Sequence, residues 1–401
     1  MLQRILALFI ALMSVVVVAS AAVVIWFLVI YPSQVETTRT PIIPDWVAIT
    51  SDGELQLHHN GYTRVLRDDA VVDAATLPVI SPDGTRVAYV RQTQGQITLS
   101  VFVLANETLV DVYPIDDAVV RMVHWSPNSA LIAVTSSDGA VMVVSSDGTQ
   151  PAVKVAYGEL AFVDWSPTST ALLVRLGLLG RDGGLLGVYD VAQQRIVMSH
   201  SDVGDFQSAQ WDQTGTGYYY VVDAGLLDLL STPRSVIRYQ RLDGVFFDIV
   251  DEGEATIRLL PAPQRDQLAY IASNQTTRVL RIWRNGAIET MSENSPLTAW
   301  WSPDGQMLAT LTIVDDEQLR WEVIDVTTGE TSVLSTFAPN ERIIDVLRYF
   351  DGTSFSPWSS DGRWLLTTTQ DIVQAQAVAG GSVVPLGPGI YAQWMLANLV
   401  R

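Results

Sequence analysis

The chain has 401 residues, 48% of them apolar, a net charge of −19, four histidines and no cysteine. That composition supplies an ample core and excludes disulfides, thiol chemistry and cysteine–metal sites. Its acidity repels nucleic-acid phosphates and anionic headgroups, and suits solubility, cationic partners or divalent ions.

Ile5 to Tyr31 carries no charge over 27 residues, and a membrane span needs about 20. Arg4 and the amino terminus give the positive flank, which favours a cytoplasmic N-terminus and an exported remainder. Ala19-Ser20-Ala21 would serve as the cleavage site of a signal peptide. The apolar run continues past it to Ile30, which favours an uncleaved anchor. Residues 1–31 are therefore expected to be a cytoplasmic N-terminus and transmembrane signal-anchor helix. Residues 32–45, with Pro32, Pro41 and Pro44, read as a linker. With Arg4 set aside, the exported part carries 23 basic and 43 acidic residues, a net of −20.

Residues 46–401 are organised by a repeat. Trp301-Ser302-Pro303-Asp304-Gly305 reads as the end of one strand and a tight turn, and Leu308-Ala309 opens the next strand. The same pattern begins at Ile80, Trp125, Trp165, Trp211, Ala262 and Trp358, with degenerate turns at the last three. The proline-equivalent positions 82, 127, 167, 213, 263, 303 and 360 are spaced by 45, 40, 46, 50, 40 and 57 residues. That period fits one four-stranded blade of a β-propeller. The tryptophans recur at one place in the repeat, so they are read as wedges between neighbouring units rather than as an aromatic ligand cage. Ser137-Asp138-Gly139 and Ser146-Asp147-Gly148 are hairpin turns within the clearest unit.

Trp46 to Thr50 looks like a second strand with no first strand before it, and Ile390 to Trp394 like a first strand with no second. Their pairing predicts an all-β, closed β-propeller of four-stranded blades after an N-terminal transmembrane helix. Eight blades are counted, with seven the alternative if one degenerate unit is an insertion.

The W-S-P-D-G-x-x-L-A pattern resembles the WD-like propeller repeats of TolB-type proteins over nearly the whole chain after residue 45. The resemblance implies an extracytoplasmic protein-binding platform. It departs from TolB itself, which has an extra N-terminal α/β domain and a cleaved signal, so TolB's partners are not carried over.

Catalytic motifs are lacking. There is no G-x-S-x-G elbow, no phosphate-binding G-x-x-x-x-G-K-[ST] and no H-E-x-x-H. Neighbours on a strand, His58 and His59 point to opposite faces. Those two, His124 and His200 are read as structural or surface groups, and neither a cofactor, a metal nor a catalytic residue is assigned. In a propeller the loops ending the second and fourth strands share one face. That places Asp68, Asp69, Asp116, Asp117, Asp202, Asp205, Asp251, Glu252, Glu254, Asp315, Asp316 and Glu317 together. Asp116, Asp117, Asp202, Asp205, Asp251, Glu252, Asp315 and Asp316 are the candidate binding residues, for a cationic segment of a protein partner or a divalent ion. A solvated loop face is the plain alternative. Leu176 to Gly184 and Asp223 to Leu230 are leucine-bearing loops on that face, and Phe337 to Ser356 is an insertion that could act as a lid. The expected protein is a membrane-bound, extracytoplasmic binding platform, more a binder than an enzyme. The alternatives are an enzyme working on glycans or peptides at the channel mouth and a structural envelope component.

Overall fold

The computed structural model describes residues 42–395 apart from 52, 71–76, 116–118, 178–183, 205–208, 224–233, 265, 340–355, 370 and 390. Ile43–Arg401 forms a compact unit separate from Met1–Ile42. The described residues are all-β, in antiparallel hairpins of short strands. No helix occurs among them, and none is long and apolar enough to cross a membrane. The expected transmembrane segment, Ile5 to Tyr31, lies outside the described residues, so the expected helix-then-propeller arrangement is not what they form.

The expectation of equal four-stranded blades closed into a ring is also corrected. The described strands form seven sheets: five of four strands, one of three and one of eight. The eight-stranded sheet has a partly curled seven-strand path that stays open, with a 19 Å gap. Its cause is local. Strand Gln210–Trp211 is only two residues long and covers just Tyr218 and Tyr219 of the strand beside it. The same edge is also met by the end of Arg195–Val203, through Val203 opposite Val222. One strand thus serves the outside of one repeat unit and the inside of the next, fusing two units. The three-stranded sheet follows from the segment before Trp358. The strand expected at Ile343 to Phe350 lies outside the described residues, and only the bridge Trp358↔Leu365 remains. One expected pairing is present: Trp46–Ser51 is flanked by Tyr391–Met395, with Val47 opposite Trp394.

The turn chemistry repeats closely. In Trp301 to Gly305, the Ser302 hydroxyl donates to Asp304 Oδ1 at 2.7 Å and accepts the Met307 amide at 2.9 Å. Gly305 sits at φ 65°, where glycine avoids the Cβ clash of the left-handed region. Ser126 with Asn128 and Ser359 with Asp361 repeat the bond at 2.8 and 2.7 Å. Two units place serine where Gly84, Gly215, Gly305 and Gly362 stand in others. Ser129 and Ser169 hold φ 60°, at a cost of about 1–2 kcal/mol. Each hydroxyl offsets it by accepting the backbone N–H of the preceding unit's turn, Asp83 at 3.1 Å and Asn128 at 3.0 Å.

Candidate functional site

The motif tryptophans are buried and join units, as their repeat position implies. Each indole N–H donates to a backbone carbonyl of the unit before it. Trp125 reaches Val79 at 2.9 Å, Trp165 reaches His124 at 3.1 Å, Trp211 reaches Asp164 at 3.1 Å and Trp301 reaches Leu260 at 2.7 Å. Trp358 and Trp394 continue the pattern to Trp300 at 3.0 Å and Pro357 at 2.7 Å. For Val79, His124, Asp164, Leu260 and Trp300 the acceptor is the next-to-last residue of the strand leading into the motif turn, and Pro357 is the residue before Trp358. The ladder thereby fixes the backbone at that position.

Side chains at that position line two cavities at the motif-turn ends of the strands. A cavity of about 570 Å³ has Asp164, Gln210, Leu260 and Trp300 on its wall, with Trp165, Trp211, Trp301, Pro167, Pro261, Pro263 and Pro303 around them. One of about 350 Å³ has His124, Val79 and Gln393 on its wall, with Asp45, Ser360, Trp358 and Trp394. Ser356 borders both. Both volumes lie in the range of small-molecule and peptide-side-chain pockets. Asp164 Oδ2 accepts the Trp211 amide at 2.9 Å. Asp212 is buried and takes the Tyr239 hydroxyl at 2.7 Å and the Thr214 and Thr216 amides at 3.0 and 3.1 Å. Asp45, placed in the linker by the sequence, is 3% exposed and accepts the Ser360 amide at 2.9 Å and hydroxyl at 3.0 Å. Gln393 Oε1 accepts the Ile80 amide at 2.9 Å, filling the gap where the Ile80 unit lacks a tryptophan. Gln210 is 5% exposed, and its Nε2 has no hydrogen-bond partner among the described residues. The unit after it also lacks the tryptophan, having Pro261 there.

The acidic residues singled out from the sequence meet a different fate. Asp116, Asp117 and Asp205 lie outside the described residues. Asp202 pairs with Arg238 at 3.2 Å, and Asp251 pairs with Arg234. Glu252 pairs with Arg281 and accepts the Tyr270 hydroxyl at 2.6 Å. Asp69 takes Arg67 Nε at 2.9 Å and the Tyr89 hydroxyl at 3.2 Å. Asp315 is exposed and accepts the Glu317 amide at 2.9 Å, while Asp316 is exposed beside it. A pattern sequence reasoning missed joins three of them: Asp69, Asp202 and Glu252 end one unit and are held by Arg91, Arg238 and Arg281 of the next. A tyrosine at the fourth position of a strand accompanies each, Tyr89, Tyr220 and Tyr270. The Arg67 hydrogen bond, against the cost of burial, holds the Asp69 carboxyl below its ordinary range. Burial, reinforced by Glu252, pushes the Tyr270 hydroxyl well up. These acids tie units together. Among the described residues no cluster of three or more metal-ligating side chains occurs.

The cavity-lining positions were also missed. The signal for them was present: the residue before the motif tryptophan is His124, Asp164, Gln210, Trp300, Pro357 and Gln393, varied where the tryptophan is constant.

No family model matches the chain, and no curated protein matches it. Solved structures do: 1301 chains match, too many for the fold to select one function. A chain of the mitotic checkpoint complex aligns with a TM-score of 0.54 and 14% identity over 86% of this chain and 94% of its own. A eukaryotic initiation factor aligns with a TM-score of 0.53 and 12% identity over 88% and 98%. A prolyl endopeptidase aligns with a TM-score of 0.51 and 14% identity, over 83% of this chain but 54% of that one. TolB from Acinetobacter baumannii aligns at a TM-score of 0.41 and 11% identity over 77% and 82%, which carries no argument. The TolB-type expectation thus reduces to a general likeness to propeller-repeat proteins, at the level of fold. Proteins of that general kind present a surface for binding or for catalysis.

Proposed function

We propose that the chain is a recognition protein that binds a polypeptide segment in the two cavities at its motif turns. The observation that carries this reading is the register of the cavity walls. The tryptophan ladder repeats as scaffold, while the adjoining position varies, carrying His124, Asp164, Gln210 or Gln393 in some units and Val79, Leu260 or Trp300 in others, and lines the cavities. Scaffold needs alone would favour one small apolar residue there. The mitotic checkpoint complex, an assembly, is a precedent for such a fold working through protein contacts. The uncharged run from Ile5 to Tyr31 supports a site outside the cytoplasm, and protease accessibility in intact cells tests that placement.

A peptide array probed with the full-length chain, followed by competition with His124→Ala and Asp164→Ala variants, tests the recognition reading. Array binders that lose affinity in either variant are expected. Binders indifferent to both substitutions would contradict the site.

One observation favours a second, catalytic reading. In the smaller cavity the Ser360 hydroxyl donates to Asp45 Oδ1 at 3.0 Å, and His124 lies on the same wall. A hydroxyl, a carboxylate and an imidazole are the side-chain types of nucleophilic hydrolysis. Cleavage of an internally quenched peptide library, abolished by Ser360→Ala, is the outcome that would favour this reading over pure binding.

A further inference from the structure

We infer that Asn285–Gly286 is a site of spontaneous deamidation, and that Asn60–Gly61, its twin in the first hairpin, is shielded from the same reaction. These are the two Asn-Gly pairs of the chain, and their backbones match. Each makes a two-residue hairpin turn, with His59 opposite Tyr62 and Arg284 opposite Ala287. Asn60 and Gly61 hold φ 48° and 85°, and Asn285 and Gly286 hold φ 53° and 77°. That is the type I′ turn that Asn-Gly favours. Both asparagines are exposed, and a Cβ on either glycine would meet nothing within 4 Å. Solvent access and room over the turn therefore do not separate the two sites.

The side-chain amide does. Asn60 Oδ1 accepts the Ile43 amide at 3.0 Å, and its Nδ2 donates to the Ile43 carbonyl at 3.4 Å and to His59 Nε2 at 2.9 Å. Ile43 is 0% exposed, so this strap is anchored in the core. Asn285 has no side-chain partner among the described residues.

The reaction needs that amide to move. The Gly286 backbone nitrogen attacks Asn285 Cγ and forms a C–N bond, and glycine has no Cβ to block the approach. The glycine N–H proton passes through solvent to the amide nitrogen, which leaves as ammonia. Water then opens the five-membered imide at either carbonyl, giving aspartate or isoaspartate. One water is consumed and one ammonia released, with no oxidant or reductant. At Asn60 the same attack must first break the bonds to Ile43 and His59, which slows it at least about tenfold. The product at Asn285 places a carboxylate beside Arg284. The Arg284 guanidinium holds Glu289 at 2.9 Å and reaches the Val326 carbonyl of the next unit at 3.3 Å. The modification thus adds negative charge at a joint between units, apart from the residues that line either cavity.

The test incubates the full-length chain in heavy-oxygen water at mildly alkaline pH and maps the incorporated oxygen by mass spectrometry of its peptides. The label marks only deamidation that occurs during the incubation. Heavy oxygen is expected at Asn285 at least about tenfold faster than at Asn60. In concentrated urea the strap to Ile43 is gone, and the two rates should converge. Equal rates in the folded chain, a faster rate at Asn60, or no incorporation at Asn285 would overturn the inference. So would a gap that survives unchanged in urea, since flanking sequence rather than the Ile43 strap would then set it.

Discussion

The Ser129 hydroxyl shows how a single residue can carry both a strained turn and a joint between units. Its backbone is left-handed and its Oγ holds the Asp83 amide. Ser129→Ala keeps the strain and removes the bond, so it should cost about 1–2 kcal/mol in a denaturant melt. Ser129→Gly loses the same bond but relieves the strain, and should cost much less. The Glu252–Arg281–Tyr270 clamp behaves differently because the Glu252 side chain is 8% exposed. Glu252→Ala strands Arg281 beside buried surface and should destabilise by about 2–3 kcal/mol, with Glu252→Ala/Arg281→Met recovering part of the loss. Acidity acts through the imidazoles. Burial pushes His58 and His200 below their ordinary value, opposed at His58 by the Leu386 backbone and at His200 by Asp202. The folded chain therefore holds both neutral, while the unfolded chain binds protons below an ordinary imidazole pKa of about 6.5. Stability is full above that pH and falls as pH drops towards the depressed folded values. Melting temperatures from pH 7.5 to 5 should show that slope, and glutamine at both positions should flatten it. The acids of these clamps were legible in the sequence as charged loop residues. Their arginine partners were not, because Asp202 and Arg238 are 36 positions apart and meet only once two units pack.

At the scale of elements, the motif turns were readable because their chemistry is local. Ser302, Asp304 and Met307 complete their hydrogen bonds within six residues. The hairpin spacing and the partnership of Trp46–Ser51 with Tyr391–Met395 followed from the same repeat. The fused sheet was not readable. It arises where the end of Arg195–Val203 pairs with the strand beside Gln210–Trp211, through Val203 and Val222, a contact that tertiary packing decides. Gly217 marks how tightly that neighbour is packed. A Cβ there would lie 2.5 Å from the Tyr239 hydroxyl, whose bond holds Asp212 at the cavity wall. Gly217→Ala should therefore cost about 1–3 kcal/mol and weaken ligand binding in the larger cavity while sparing the smaller one. Thermal melts and fluorescence titration together separate these effects.

On the scale of the whole molecule, a net charge of −19 first pointed to an acidic binding face. Pairing alters that picture: Asp69, Asp202, Asp251 and Glu252 each engage arginine, and their charge is spent within the fold. The polar positions that face open volume lie instead at the motif-turn ends of the strands. They were hidden in plain view, since the residue before each tryptophan seemed part of a strand whose purpose was packing. Only the cavities show that this position also borders open volume. The central claim is that ligand is recognised there. Hydrogen–deuterium exchange of the full-length chain, with and without an array-selected peptide, tests it most directly. The account predicts slowed exchange at residues 164–167, 210–213, 259–263 and 299–303. Protection confined to the loops around Asp202, Asp251 and Asp315, with those four segments unchanged, would contradict it.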